Sequence, residues 1–158
     1  MSAVGVAAAS AVIEAPIDLV WDVMLDTERY PEWNPFIVRV RLPAGRPPQV
    51  GDRLVLHVRW CTGGRARATE RITTLVPPSE TGGRRAQLEY AYGGPVGRLR
   101  LVRGRRLQEL VRLDDGLTAY TTHEQLHGPL SAMAPLVRVQ DGFERHAQAL
   151  KARAESLC

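Results

Sequence analysis

A chain of 158 residues, 44% hydrophobic and 24% charged, has the length and composition for one folded core and excludes a disordered or fibrous protein. Its net charge of +4 is unevenly spread: residues 1–38 carry six acids and one Arg (−5), residues 39–112 sixteen Arg and five acids (+11), and residues 113–158 six acids and four bases (−2). No apolar run approaches the roughly 18 residues of a membrane span, and Cys61 and Cys158 have neither metal nor disulfide spacing. A cytoplasmic protein without stable membrane insertion is therefore the expectation.

The first residues, "MSAVGVAAASAV", are apolar but lack a basic n-region, so they read as the approach to a strand rather than a signal peptide. Val6 to Glu14 is that strand. Pro16 opens a helix over 16–26, favoured by Asp18 and Asp22 near its start, with Ile17, Val20, Trp21 and Met24 at helical spacing. Pro31 and Pro35 then break the chain into a turn or one short helix. This stretch, "ERYPEWNPF", holds three of the nine Phe, Trp and Tyr residues of the whole chain.

From Phe36 onward the pattern has period two. "FIVRVRL", "RLVLHVRW", "RARATERITTLV", "RAQLEYAY", "RRLQELVRL" and "LTAYTTHEQL" read as six successive strands separated by short turns, an antiparallel meander with one polar face. Leu54, Leu56, Val58 and Trp60 share one face. So do Leu88, Tyr90 and Tyr92, and so do Ala66, Ala68, Glu70, Ile72 and Thr74. Arg53, Arg59, Arg65, Arg67 and Arg71 alternate with these sets and belong on the outer face. Ala134 to Leu157 reads as a long helix with Leu136, Gln140, Phe143, Ala147, Leu150 and Ala154 in one stripe. Gly142 lies in mid-helix, a position explained by close approach of another group.

The order of elements, together with Ala15-Pro16, Val20-Trp21, Asp26, Tyr30-Pro31, Trp33-Asn34-Pro35 and the closing "GFERHAQALKARAE", resembles the SRPBCC superfamily, also called START-like or Bet v 1-like, in its polyketide cyclase/dehydrase branch. The resemblance spans nearly the whole chain and implies one domain over 1–158. It implies an α+β helix-grip fold in which a curved antiparallel sheet of about seven strands wraps around the C-terminal helix, with two short helices between the first two strands. It further implies a cavity between sheet and helix, closed at one end by the proline-broken segment.

That cavity is expected to take its wall from Trp33, Leu56, Trp60, Leu88, Tyr90, Tyr92, Tyr120, Thr122, Gln140 and Phe143, and its chemistry from Glu124, Glu70 and Arg106. The partner of Glu124 depends on the hairpin register. A two-residue turn at Asp115-Gly116 sets Leu107 opposite Glu124. A three-residue loop with Gly116 in the left-handed region sets Arg106 there instead. A buried carboxylate without a partner can act as an acid or base, one paired with Arg106 can orient a ligand, and one at the cavity mouth does neither. His57, His123 and His127 fall on polar faces and His146 only marginally follows the helix stripe, so no metal site is expected. "TGGRR" and "YGGPVG" read as turns without the strand–loop–helix setting of a phosphate site, and no cofactor is expected.

Two functional readings stand: a cofactor-free cyclase or dehydratase acting on a hydrophobic polyketide-like or polycyclic molecule, and a non-catalytic carrier or sequestering protein for such a ligand or a lipid. A third, use of the basic sheet face to hold a partner, ranks below them. Nucleic acid is not an expected partner, because no docking motif or exposed aromatic accompanies the arginines. The assembly is expected to be a monomer or homodimer.

Overall fold

The computed structural model describes residues 5–94, 103–129 and 135–158. Seven strands follow in order: β1 (Gly5–Ile13), β2 (Ile37–Arg41), β3 (Arg53–Arg59), β4 (Arg65–Val76), β5 (Arg85–Tyr92), β6 (Arg103–Asp114) and β7 (Leu117–His127). They form one antiparallel sheet in the order β1-β7-β6-β5-β4-β3-β2. Between β1 and β2 lie helix α1 (Ile17–Leu25), a 3-10 turn (Thr27–Arg29) and the one-turn helix α2 (Tyr30–Trp33); the long helix α3 (Leu136–Ser156) closes the chain. This is the helix-grip α+β fold. The first residue expected in the last helix, Ala134, and the second half of "YGGPVG" lie outside the described residues.

Period-two alternation places Leu54, Leu56, Ile72, Leu88, Leu110 and Tyr120 on the inner face, all nearly inaccessible, and they meet Phe143, Ala147, Leu150 and Ala154 of α3. The arginines Arg53, Arg59, Arg65, Arg67 and Arg71 are exposed on the opposite face. One phase differs from the sequence reading. A bulge between Ile72 and Thr74 sets Thr74 against Glu89 and Leu75 against Leu88, so Leu75 packs on the core in place of Thr74.

Two contacts fix α3 on the sheet. Gly142 lies against the ring of Phe36, in the space a β-carbon would need. On the other side, Gln140 bridges the free edge of β1: its Oε1 accepts from the Ala8 amide at 2.8 Å and its Nε2 donates to the Ala8 carbonyl at 2.6 Å. Lys151 donates to the Val12 carbonyl and Glu155 accepts from the Glu14 amide. Helix side chains thus satisfy backbone groups that a further strand would otherwise pair.

Candidate functional site

A cavity of about 400 Å³ lies between the inner sheet face and the first half of α3. Its wall is mainly apolar: Phe36, Ile37, Leu56, Val58, Trp60, Ala68, Leu126, Val139 and Phe143 contribute, and Tyr92 adds a phenol. Three ionisable side chains interrupt it, Glu70 from β4, Arg106 from β6 and Glu124 from β7. Ala66, Arg67 and Pro135 also line it and are exposed, so the cavity opens by the β3–β4 turn and the start of α3.

The hairpin register sets Arg106 opposite Glu124, Gln108 opposite Thr122 and Leu110 opposite Tyr120. The turn itself is the two-residue Asp115-Gly116, and Gly116 is not left-handed. The shift comes instead from a bulge at Leu113, between the pairs Arg112–Thr118 and Asp114–Leu117. One extra residue in β6 restores the register that a three-residue loop would have given.

Opposition does not become an ion pair. Arg106 is 3% exposed, and its Nε donates to the Thr122 hydroxyl at 3.0 Å. Its guanidinium lies 4.2 Å from the centroid of the Phe143 ring, a cation–π contact, and one terminal nitrogen is buried without a hydrogen-bond partner. Glu124 stands beside Gly104: a β-carbon on Gly104 would lie 3.2 Å from Glu124 Oε1 and 2.7 Å from Leu126, so the missing side chain makes room for the carboxylate.

Glu70 and Glu124 lie three strands apart, yet the curl of the sheet brings their charges within mutual influence. Burial first, and then the Glu124 charge, push the Glu70 pKa up to about 8 against the opposing pull of Arg106. Burial also raises the Glu124 pKa, again against Arg106. At neutral pH Glu70 is protonated, a donor as well as an acceptor.

Several residues expected in the wall belong to the packed layer beneath it. Leu88, Tyr90, Tyr120 and Thr122 are buried in the core and do not line the cavity; Tyr120 donates to Gln108 Oε1 at 2.8 Å, and Thr122 holds Arg106. Gln140 faces β1, as described. Trp33 packs edge-on against Tyr30 and His146, with centroids 5.1 and 5.8 Å away, and the cavity aromatic of its segment is Phe36. Leu56, Trp60, Tyr92, Phe143, Glu70, Glu124 and Arg106 are the expected residues that the structure brings together around the cavity.

The sequence put His146 only marginally on the helix stripe and Asn34 in the Trp33-Asn34-Pro35 motif; the structure buries both and joins them. His146 is fully buried, stacked on Tyr120 with ring planes 12° apart. Asn34 Oδ1 accepts from the amides of Phe36 and Ile37, which leaves its Nδ2 to donate to His146 Nδ1 at 3.1 Å. The imidazole proton therefore sits on Nε2, which is buried and unpartnered. Burial, with the Arg106 charge, holds the His146 pKa well below its usual value. The signal was the Trp-Asn-Pro order: an Asn before Pro can turn its own backbone and still offer an amide. Among the described residues no three His, Cys, Asp or Glu side chains cluster in a way that could hold a metal ion.

A family model described as polyketide cyclase/dehydrase and lipid transport matches residues 6–155. The fold is similar to that of the Zhui aromatase/cyclase from Streptomyces sp. R1128 (TM-score 0.74, 17% identity, 97% of this chain and 94% of that one). It is also similar to a START superfamily protein from Mycobacterium smegmatis (TM-score 0.70, 20% identity, 97% and 99%) and to a norcoclaurine synthase from Thalictrum (TM-score 0.68, 12% identity, 99% and 98%). A search of curated proteins gave no significant match.

Proposed function

The chain belongs to the polyketide cyclase/dehydrase and lipid transport family, and from that premise we propose that it encloses a hydrophobic, polyketide-like or polycyclic molecule and closes a ring in it, with loss of water and no cofactor. The observation that carries the reading is the presence of two carboxyl groups, both with pKa raised by burial and that of Glu70 to about 8, beside the Arg106 guanidinium in an otherwise apolar cavity. A volume of about 400 Å³ suits a small-molecule ligand, within the roughly 300–1,000 Å³ usual for such sites.

The proton inventory closes on itself. The cycle starts with Glu124 as base: it removes a proton from a methylene between two carbonyls, and the Arg106 guanidinium stabilises the enolate oxygen. The enolate carbon attacks a second carbonyl while Glu70 gives that oxygen its proton, forming the new C–C bond and a tertiary alcohol. Glu124 is now protonated and Glu70 ionised. In the dehydration Glu70 takes a proton from the adjacent carbon and Glu124 protonates the departing hydroxyl. Water leaves, a C=C bond forms, and both groups return to their starting states. The apolar wall contributes by holding the chain folded, which is worth about 7–11 kcal/mol at best.

A second reading, that of a carrier which binds without turnover, is favoured by how little of the wall is polar. An aryl-primed linear poly-β-ketone surrogate separates the two. Ring closure with loss of one water, followed by mass spectrometry, supports the cyclase; tight binding with no mass change after prolonged incubation overturns it and leaves the carrier.

A further inference from the structure

The outer face of β2, β3 and β4 is unbalanced in charge. Arg39, Arg41, Arg53, Arg59, Arg65, Arg67 and Arg71 lie there, all exposed, and none has an acidic partner among the described residues. The register stacks like on like: Arg53 faces Arg71, Arg59 faces Arg65, and His57 stands between Arg39 and Arg67. Directly opposed like charges destabilise a sheet. On β5 and β6 of the same face the pattern differs, since Arg85 pairs with Glu109 and Arg105 with Glu89. Among the described residues the bare charge is therefore densest on the part of the sheet next to the cavity opening, where Arg67, Ala66 and Trp60 line the cavity, with Arg103 of β6 a further exposed arginine without an acidic partner.

We propose that this arginine face docks the protein on an anionic phospholipid surface, with the cavity opening held at the bilayer. The charge is complementary to phosphodiester headgroups, which guanidinium groups bind in a bidentate fashion. The surface is convex and carries no exposed aromatic rings on which bases would stack, which disfavours nucleic acid. At the same rim Val137, 85% exposed, follows Pro135 of the cavity wall and offers an apolar contact. Docking itself follows from the charge; the value of placing the opening there rests on the hydrophobic-ligand reading, because such a ligand partitions into the bilayer.

The test uses flotation of the full chain with vesicles of phosphatidylcholine alone, or with about one third phosphatidylglycerol. Binding is expected only to the anionic vesicles and is expected to fall steeply with added salt. Arg59→Glu/Arg65→Glu keeps that cross-strand pair like-charged, so its effect on folding is small, and should weaken binding on the order of thirtyfold. Arg84→Glu/Arg112→Glu, far along the sheet and equal in net charge, should leave binding within about twofold of wild type. A melting curve confirms that each variant is folded. No binding to anionic vesicles, or equal losses in both variants, overturns the proposal, and an acidic protein partner would give the first of these. Uptake of a hydrophobic fluorescent probe without vesicles reports the cavity separately, so failure of docking and failure of the ligand reading are distinguishable.

Discussion

Glu124 owes its place to the absence of a side chain on Gly104, and α3 owes its seat to the same absence at Gly142. Two predictions follow at this scale. Glu124→Gln preserves size and hydrogen bonding and removes the proton-transfer role. Turnover of the surrogate should fall at least about a hundredfold, with probe binding within a few-fold of wild type; unchanged turnover assigns the base role elsewhere. Gly142→Ala, by helix propensity alone, should stabilise by about 1 kcal/mol. Its methyl would instead occupy the space of the Phe36 ring, and overpacking costs about 1–3 kcal/mol. Urea denaturation should show a net loss, relieved when Phe36→Leu is added.

At the scale of elements, the join between α3 and β1 is built from side chains that reach a strand edge. Gln140→Leu keeps the bulk and removes both bonds to Ala8; the expected cost is about 1 kcal/mol, with faster hydrogen exchange at the Ala8 amide. The same glutamine marks where the sequence was hard to read. Helical spacing placed it on the stripe with Phe143, but a stripe is about 100° wide or more, and its edge here meets β1 rather than the cavity. Strand phases were legible, because alternation has only two answers, and they failed at Thr74, where a bulge resets the phase. The Arg106–Glu124 opposition was one of two registers the sequence allowed, and the bulge at Leu113 that selects it leaves no turn signature. Which inner residues line a void and which are packed under it depends on sheet curvature, and that is why Tyr90 and Tyr120 were expected in the wall while Phe36 was not. His146 was placed only marginally on the stripe because its partner, Asn34, lies more than a hundred positions away in sequence.

For the molecule as a whole, three interior groups, Glu70, Glu124 and His146, shape the dependence of stability on pH. Glu70 holds its proton in the folded state up to about pH 8, whereas an unfolded Glu releases it near 4.5. Stability from this group is present below pH 4.5 and is lost as pH rises to about 8. His146 stays neutral when folded, while an unfolded His gains a proton below 6.5, so stability is lost as pH falls below that value. Between 4.5 and 6.5 the Glu70 and His146 slopes, each about 1.4 kcal/mol per pH unit, oppose one another. Glu124, whose carboxyl pKa burial also raises, adds to the Glu70 slope, so thermal melting should show a decline as pH rises above 6.5 toward 8, where His146 no longer opposes it. Glu70→Gln should flatten the decline between pH 6.5 and 8, and an unaltered alkaline limb would exclude Glu70 as its source. The ends of the sheet carry a different consequence. Strand-on-strand growth of a filament needs two open ends on every subunit, as a chain of couplings needs a hook and an eye on each link. Gln140, Lys151 and Glu155 occupy the β1 end, and among the described residues five-residue β2, which carries Arg39 and Arg41, presents the other. Pairing through β2 stops at two molecules, so edge-to-edge polymerisation is terminated by geometry before concentration has any bearing on it.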